Sequence, residues 1–256
     1  KAARTLAMMA ASLGLLVAGG GRLMASIGGG RGGDCSSCQS GGVNPANPAQ
    51  GNPGKTRIEW RMAINTTGAT LTLSGGWLQQ ARRVPSPNFG PRPEGCLPRL
   101  LVIHNISLPP GQYGGDCIER LFTNCLDWDE HPYFNEIRGS EVSAHLLIRR
   151  DGELVQFVSF GNRAWHAGQS CFAGRENCND FSIGIELEGT DDDAYTGQQY
   201  AALAAVTRTL LAHYTAMDRH RIVGHSDIAP QRKTDPGPAF DWNRYRSLLA
   251  AAGEQG

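Results

Sequence analysis

The stretch Ser182–Glu188, which reads Ser-Ile-Gly-Ile-Glu-Leu-Glu, has the pattern of a β-strand with two different faces. Apolar and other residues alternate along it, and successive side chains of a strand point to opposite faces of a sheet. Three aliphatic side chains therefore share one face, while Gly184, Glu186 and Glu188 share the other. One face is predicted to build a core, and the other faces solvent or a site.

Two further apolar runs end in histidines and read as neighbouring strands. Residues 100–103, Leu-Leu-Val-Ile, deliver His104 and Asn105 at their end, as a strand does when it feeds a loop over a cleft. Residues 221–224, Arg-Ile-Val-Gly, deliver His225 in the same way. The sequence thus predicts a mixed sheet that carries polar side chains at its strand ends.

A hairpin and helices complete the predicted architecture. Residues 143–158 hold two apolar runs around an Asp-Gly pair, which is a strong hairpin signal. The pattern of residues 196–216 predicts a packing helix with Thr196 and Gln199 as its capping box. A shorter helical piece falls near residues 118–122, after an irregular loop. We expect one α/β domain with a central mixed β-sheet flanked by helices, and with its site in a cleft at the strand ends.

His104, His225 and Asp235 form a candidate metal site. Catalytic zinc takes three nitrogen, sulfur or carboxylate ligands and leaves a fourth position open for water. Asp235 follows His225 by ten residues, which would span more than about 30 Å if extended, so the chain must turn back. The prolines and the glycine in residues 230–238 suit such a turn. The alternative is a surface loop beside one strand-end histidine, and spacing alone does not separate the two.

The composition limits the classes of partner. The chain has 256 residues, of which 40% are hydrophobic, so it is long enough for one α/β core and a tail. Its 24 basic residues equal its 24 acidic ones, so no broad surface for nucleic acid or for an anionic membrane is expected. Seven cysteines form an odd set without regular spacing, which favours free thiols over a disulfide framework. Cys35 and Cys38 have metal-type spacing but lack a second pair.

The first 61 residues differ in composition from the rest. Residues 6–18 form an apolar stretch shorter than the roughly 20 residues of a membrane span, and they resemble the core of a signal peptide. A Gly, Ser, Asn and Pro tract then runs to about Lys55 and is predicted to be disordered. The segment is either an export signal with a linker or upstream sequence joined artificially to a domain that begins at Met62. We favour the second interpretation and predict a domain over residues 62–256.

Several long motifs, in order, resemble one family closely. They are residues 81–89 (ARRVPSPNF), 102–111 (VIHNISLPPG), 163–168 (RAWHAG), 179–191 (NDFSIGIELEGTD) and the segment 225–242. Together they resemble the AmpD family, the 1,6-anhydro-N-acetylmuramyl-L-alanine amidases of the peptidoglycan recognition protein superfamily. The resemblance runs from about residue 76 to about residue 249 and covers none of the first 61 residues. Motifs of this length in register are far more specific than three candidate ligands.

The resemblance implies a zinc hydrolase that cleaves the amide bond between the lactyl group of an anhydro-muramic acid and L-alanine in cell-wall fragments. His104, His225 and Asp235 fall on the family's zinc ligands. Glu186 and Lys233 fall on its two other catalytic positions. Glu186 is then the candidate base that takes a proton from water and passes it to the leaving amine. Lys233 can stabilise the developing oxyanion, and its alternative role is that of a solvated loop lysine.

Six further residues are candidates for contacts with the substrate: Asn105, His145, Trp165, His166, Arg138 and Arg175. An amide or an aromatic ring can hold the peptide or the sugar, and a guanidinium matches a peptide carboxylate. For Trp165 the alternative is a buried structural role, and for His145 it is core packing.

The chain departs from the family pattern at two positions. The resemblance leads us to expect arginines that grip the acidic peptide stem where this chain has Glu141 and Asn177. Either Arg138 and Arg175 replace those arginines from nearby, or the preference for the stem differs. The zinc chemistry does not depend on this choice.

Three hypotheses follow for the function. The chain is a cytoplasmic amidase of peptidoglycan recycling, an exported amidase in the periplasm that acts on intact peptidoglycan, or a peptidoglycan-binding module without activity. The uninterrupted motifs and unpaired cysteines favour the first, while binding modules typically lose a ligand that this chain keeps. We expect a monomer with Zn2+ as cofactor and an anhydro-muropeptide as substrate. Neither nucleic acid nor a membrane is expected as a stable partner.

Overall fold

The computed structural model describes residues 71–251 of the chain. The strands in this part are β1 Leu73–Ser74, β2 Trp77–Leu78, β3 Arg82–Arg83, β4 Phe89–Gly90, β5 Leu100–Ile106, β6 Leu146–Ile148, β7 Leu154–Gln156, β8 Arg163–Ala164, β9 Cys171–Phe172, β10 Arg175–Glu176, β11 Ser182–Glu188 and β12 Ile222–Gly224. The α-helices are α1 Cys117–Phe122, α2 Gly197–His213, α3 His225–Ile228 and α4 Trp242–Ala250. Short 3-10 helices span Pro132–Ile137, Cys178–Asp180 and Arg219–Arg221.

A six-stranded sheet forms the centre of the fold, with the strand order β12-β5-β11-β6-β7-β3. β5 runs parallel to both β11 and β12, and β11 runs parallel to β6. β7 is antiparallel to β6 and parallel to β3. The predicted mixed sheet with flanking helices is confirmed. All seven residues of β11 are buried, as is usual for a strand that has parallel neighbours on both sides.

The two faces of the sheet have different roles, as the alternation in β11 predicts. The three aliphatic residues of β11 pack into the largest core cluster, together with residues of α2 and α4. Leu100 and Val102 of β5 point to the opposite face and join a smaller cluster with Ile228 of α3. His104 shares that second face, because it lies two residues beyond Val102. The two long helices thus cover one face of the sheet and leave the other for the site.

The register of the parallel strands aligns the candidate site residues. His104 in β5 lies opposite Glu186 in β11, and Ile103 lies opposite Gly224, the last residue of β12. His225 follows Gly224 directly and begins α3. Three neighbouring strands therefore present His225, His104 and Glu186 side by side toward their carboxyl ends, where open α/β sheets commonly bind ligands.

The local predictions are confirmed with small shifts at the ends of elements. β6 and β7 form the hairpin around the Asp-Gly turn. The capping box of α2 is present, since the Thr196 hydroxyl accepts from the Gln199 N–H and the Gln199 side chain accepts from the Thr196 N–H. The helix ends at His213 instead of near residue 216, because Tyr214 leaves the helical conformation. α1 covers the short helix predicted near residues 118–122.

Some predictions concern cysteines and the N-terminal segment. The disorder, the signal-like stretch, the domain start at Met62, and Cys35 with Cys38 all lie outside the described residues. Among the described cysteines, the free thiols are Cys96, Cys117, Cys171 and Cys178. Cys125 is disulfide-bonded, so the prediction of free thiols is wrong there, because spacing along a chain does not tell which sulfurs meet. Within residues 71–251, no helix has the length and apolar character needed to cross a membrane.

Glu119 in α1 ties this helix to the edge of the sheet. Its carboxylate accepts hydrogen bonds from Arg82 in β3 at 2.6 and 2.8 Å and from Arg149 at 2.6 Å. Arg149 also donates to Glu188 at the end of β11, at 3.0 Å. Burial alone would raise the pKa of Glu119, but the hydrogen bonds from the two arginines hold it below its usual value.

Glu119→Gln should lower the free energy of unfolding at pH 7 by about 1–3 kcal/mol, the usual range for hydrogen bonds to charged groups. A carboxyl whose folded pKa is lowered contributes stability above its unfolded pKa, and this contribution is lost as the pH falls through the folded value. The difference between the unmodified chain and the variant should therefore shrink below about pH 4. Urea unfolding at pH 7 and at about pH 3.5 measures it, and a difference that stays constant would contradict the role of Glu119.

Candidate active site

Three buried donor atoms meet beside the ends of β5 and β12. His104 Nδ1 lies 3.0 Å from His225 Nδ1 and 3.0 Å from Asp235 Oδ2. His225 Nδ1 lies 3.1 Å from Asp235 Oδ2. All three side chains are buried, and in the described part of the chain they form the group of His, Cys, Asp and Glu residues that could hold a metal ion.

The loop after α3 returns Asp235 to His225, as their spacing in the sequence requires. The Ser226 N–H donates to the Asp235 carbonyl at 3.0 Å and ties the two ends of the loop together. Gly224 permits this close approach, because a Cβ at that position would lie 2.8 Å from Pro236 Cδ. The predicted turn is therefore confirmed, and the alternative of an open surface loop is wrong.

The three residues fit a small divalent metal ion such as zinc. Nitrogen and oxygen ligands about 2.0–2.1 Å from a tetrahedral zinc lie about 3.3 Å from one another, which is close to the separations seen here. Asp235 Oδ1 is buried and has no hydrogen-bond partner among residues 71–251, and such orphaned atoms often mark the place of an ion. Burial lowers the pKa of His104 to about 4, with the nearby His225 adding to the effect. His104 is thus neutral at pH 7, as metal binding requires.

Glu186 and Lys233 face the same cavity as the three donor atoms. Glu186 is 8% exposed and Lys233 is 4% exposed, so the alternative of a solvated lysine is wrong. Glu186 Oε2 and Lys233 Nζ both lack a hydrogen-bond partner in the described residues. Burial raises the pKa of Glu186 well above its usual range, and the Asp235 carboxylate adds to the rise. Burial lowers the pKa of Lys233 to about 8, and paired shifts of this kind are typical of active sites.

The cavity around these groups has a volume of about 260 Å³. Apolar side chains from the segment after β5 and from α1 form part of its wall, and polar groups converge on it from several loops. Besides the five residues already described, the lining includes Asn105, Leu108, Phe122, Tyr133, Glu141, Trp165, His166, Asn179 and Arg232. A few convergent polar groups in a largely apolar cleft are the usual form of a small-molecule site.

Three of the six predicted substrate contacts line this cavity: Asn105, Trp165 and His166. Asn105 donates to Asp191 Oδ1 at 2.8 Å. Trp165 is half-buried and lines the cavity wall. His166 Nδ1 lies 2.9 Å from His104 Nε2, which places it against a metal-type ligand.

The other three predicted contacts lie away from the cavity. His145 is fully buried, and its Nδ1 accepts from the Gly184 N–H at 3.0 Å while its Nε2 lies 3.1 Å from the Asn162 carbonyl. His145 therefore packs in the interior, because the Gly184 N–H of β11 and the Asn162 carbonyl of the loop before β8 occupy its two ring nitrogens. Arg138 pairs on the surface with Asp129, and the guanidinium of Arg175 lies 4.4 Å from the centre of the Phe181 ring.

Several residues that line the cavity were not predicted from the sequence, and Tyr133, Asn179 and Arg232 are among them. Tyr133 comes from the 3-10 helix Pro132–Ile137, and burial raises its pKa to about 12. Arg232 donates to the carbonyls of Ala167 and Gln169 at 2.9 and 2.6 Å. Asn179 and Arg232 lie inside the quoted motifs and could have been considered there, whereas no local pattern marks Tyr133.

A mixed α/β sheet that carries buried His, His and Asp ligands at its strand ends, with a carboxylate and an amine beside them, is typical of the metal-dependent hydrolases. Within that class, the sequence model of the N-acetylmuramoyl-L-alanine amidase family matches residues 94–238, and the chain belongs to this family.

Individual relatives are similar over nearly their whole length. The 1,6-anhydro-N-acetylmuramyl-L-alanine amidase AmpD of Salmonella typhimurium (strain SL1344) is 64% identical over 175 residues, which are 68% of this chain and 93% of that protein. AmpD of Escherichia coli (strain K12) is 61% identical over 180 residues, or 70% of this chain and 98% of that protein. A crystal structure of a selenomethionine derivative of AmpD has a TM-score of 0.69 at 60% identity and covers 70% of this chain and 99% of that one. The predicted resemblance to the AmpD family is confirmed.

Asp235→Ala should lower the affinity of the full chain for Zn2+ more than about 100-fold, because losing a ligand exceeds the effect of roughly 10–100-fold typical of groups that only support ligands. Competition with a chelator of known affinity, followed by metal analysis, measures this change. Asp192→Ala is the matched control, since Asp192 is exposed and does not line the cavity. Equal Zn2+ affinity in the two variants would show that Asp235 is not a ligand.

Proposed function

We propose that this chain is a zinc-dependent N-acetylmuramoyl-L-alanine amidase that hydrolyses the amide bond between 1,6-anhydro-N-acetylmuramic acid and L-alanine in muropeptides. The observation that carries the proposal is the convergence of three buried donor atoms, Glu186 and Lys233 on one cavity. Relatives at 61% and 64% identity bear the name of this reaction. The substrate is then a fragment released from peptidoglycan and recycled by the cell.

His104, His225 and Asp235 are the residues that would hold the zinc ion. Zinc bound there would lower the pKa of a water toward about 7 and would polarise the carbonyl of the substrate. Two neutral imidazoles and one carboxylate do not cancel the charge of a divalent ion, so the site keeps the positive charge that this chemistry needs. A set of three protein ligands is also the number found where zinc acts in catalysis.

Glu186 is the general base of the proposed reaction. It lies opposite His104 on the neighbouring strand, so its carboxylate is beside the ligands and can accept a proton from the attacking water. The same carboxyl then gives this proton to the leaving nitrogen as the C–N bond breaks, which yields a carboxylic acid and the free amine of alanine. Burial favours its protonated form, which suits the interval between the two transfers.

Lys233 stabilises the charge that develops on the carbonyl oxygen. An ammonium whose attraction grows as the oxyanion forms favours the transition state over the substrate. Lys233 Nζ has no hydrogen-bond partner among residues 71–251, so its donors are available to the substrate. The low polarity of its surroundings strengthens this attraction compared with that of a solvated lysine.

Asn105 and Trp165 are the proposed contacts for the rest of the substrate, with Tyr133 and Arg232 as additions from the structure. The ring of Trp165 offers an apolar plane to the sugar or the peptide, and the amide of Asn105 offers hydrogen bonds. These side chains come from four different segments around the cavity. The substrate would therefore be held from several sides.

A cytoplasmic monomer is the form that we propose. The free thiols of Cys96, Cys117, Cys171 and Cys178 suit a reducing compartment, whereas the disulfide bond of Cys125 suits an oxidising one and favours the second candidate below. The second candidate is an exported amidase that acts on intact peptidoglycan, and the signal-like composition of residues 6–18 favours it. A binding module without activity is disfavoured, because three ligands, a base and an oxyanion partner are all present in one cavity.

The full chain loaded with Zn2+ should release the stem peptide from an anhydro-muropeptide, and Glu186→Gln should lower kcat by about 100- to 10,000-fold, the usual contribution of a general base. Glutamine keeps the size of the side chain and removes its basicity. Chromatography of the products, on the anhydro-muropeptide and on intact peptidoglycan in parallel, measures the cleavage.

Glu176→Gln is the matched control for this assay, since Glu176 is exposed in β10 and does not line the cavity. Cleavage of the anhydro fragment alone would support a recycling amidase. Cleavage of the intact wall would favour the exported enzyme, and a zinc-loaded chain that cleaves neither substrate would overturn the proposal.

Glu141 sets the preference for the peptide stem in this proposal. It is exposed at the cavity, whereas Arg138 and Arg175 lie away from it and cannot replace the arginines expected from the family pattern. A carboxylate at this place attracts a cation and repels a carboxylate of the stem. We therefore expect a preference for stems that carry a free ammonium, as a diamino acid does, near Glu141.

Glu141→Arg should reverse this preference. The unmodified chain should cleave a muropeptide with lysine at the third stem position about 2- to 5-fold better, in kcat/KM, than one with acetyl-lysine, as exposed ion pairs contribute about 0.2–1 kcal/mol. Competition between the two substrates in one reaction measures the ratio. Glu141→Gln should bring it close to one, and a ratio unaffected by either substitution would remove Glu141 from substrate recognition.

A further inference from the structure

His104 and His225 both turn Nδ1 toward Asp235, and this orientation determines which hydrogen bond the opposite nitrogen, Nε2, must make. Nδ1 of both His104 and His225 lies about 3 Å from Asp235 Oδ2. A neutral imidazole that offers Nδ1 to a metal must carry its hydrogen on Nε2. Both rings are only 2% exposed, so each Nε2–H needs an acceptor from the protein.

For His225, a backbone carbonyl is the acceptor of the Nε2–H. His225 Nε2 lies 3.1 Å from the carbonyl oxygen of Ala167. Because a carbonyl oxygen only accepts, Nε2 must be the donor, and Nδ1 is left without a hydrogen. The second ring nitrogen of a ligating histidine typically has such a partner, which orients the ring and fixes its tautomer.

For His104, the side chain of His166 is the acceptor of the Nε2–H. His104 Nε2 lies 2.9 Å from His166 Nδ1, and His166 Nε2 lies 3.1 Å from the Ser182 hydroxyl oxygen. If His166 carries its hydrogen on Nε2 and donates to Ser182, its Nδ1 accepts from His104. The opposite tautomer of His166 would put the hydrogen of His104 on Nδ1, where it would block the metal.

One loop supplies both acceptors, since His166 and Ala167 are consecutive. The side chain of Asn179 holds this loop in place, because its Oδ1 accepts from the His166 N–H at 3.1 Å and from the Ala167 N–H at 2.8 Å. Gly184 in β11 leaves the space that the His166 ring fills, since a Cβ there would lie 2.4 Å from the ring. The loop and the central strand are thus fitted to each other around His166.

We propose that His166 is a positioning residue that fixes the tautomer and orientation of His104 for metal binding, within a loop that does the same for His225 through the Ala167 carbonyl. This inference rests on the proposed metal site and assigns His166 a task beyond contact with substrate. Asn179 anchors the loop, and Gly184 makes room for it.

The test measures the affinity of the full chain for Zn2+ alone, by competition with a chromogenic chelator and without substrate. His166→Ala removes the acceptor and should weaken binding about 10- to 100-fold, the usual effect of losing such a partner. His166→Asn keeps an acceptor oxygen near the position of Nδ1 and should bind Zn2+ within about 3-fold of the unmodified chain. The absorption spectrum of bound Co2+ gives a second readout, and it should change for His166→Ala but not for His166→Asn.

Two further variants serve as controls for misfolding and for effects that are not specific to His166. Ser182→Ala removes the partner of His166 Nε2 with a small change in volume, and it should weaken Zn2+ binding less than His166→Ala does. His213→Ala is the matched control, because His213 is exposed at the end of α2 and should leave the affinity unchanged. Circular dichroism of the metal-free proteins shows whether each variant is folded, and if His166→Ala is not, Ser182→Ala decides.

The outcomes separate the inference from the proposed function. An unmodified chain that binds no Zn2+ would refute the metal site itself. An unmodified chain that binds Zn2+ with the same affinity as His166→Ala or Ser182→Ala would leave the metal site intact and overturn the positioning role. If His166→Ala loses amidase activity without any loss of Zn2+ affinity, His166 contacts the substrate and does not position His104.

Discussion

The site depends on keeping three electron-rich atoms, on His104, His225 and Asp235, about 3 Å apart where water has little access. Lone pairs that face each other in a medium of low polarity are unfavourable unless a cation or a proton lies among them. A metal ion at this point turns the same contacts into bonds and contributes to the stability of the fold. His104, His225 and Asp235 therefore have the geometry of a group that could hold a metal ion.

The parallel strands make such close placement possible. The register of β5, β11 and β12 places His225, His104 and Glu186 next to one another at one end of the sheet. The core packs α2 and α4 against the other face, which leaves the site face to loops. A rigid sheet thus supplies positions, while loops supply Asp235, Lys233 and most of the substrate wall, and this division is common in α/β enzymes.

The cavity holds two kinds of side chain, which differ in burial. The groups that would act on the amide bond are buried and largely without protein partners, whereas Glu141 is exposed at the cavity. Membership of the amidase family fits the first set, because a bound metal ion, a base and a partner for the oxyanion are the groups that metal-assisted hydrolysis of an amide uses. The proposed selectivity rests on Glu141, where a change of charge leaves the buried groups untouched.

Most elements of the fold and the candidates for the reacting groups can be recognised in the amino-acid sequence alone. Local patterns of a few residues mark the elements: the alternation in Ser182–Glu188, the Asp-Gly turn and the capping box of α2. The motifs around His104 and His225 indicate the family and its candidate metal ligands. Which polar side chains face the cavity depends on the packing of segments that are distant in the sequence. His145 and His166 are the same type of residue, yet backbone groups of Gly184 and Asn162 occupy both ring nitrogens of His145. The space above Gly184 instead holds the ring of His166 beside His104. Tyr133 reaches the cavity from a segment without any motif, because the direction of a side chain depends on packing between residues that are far apart in the chain.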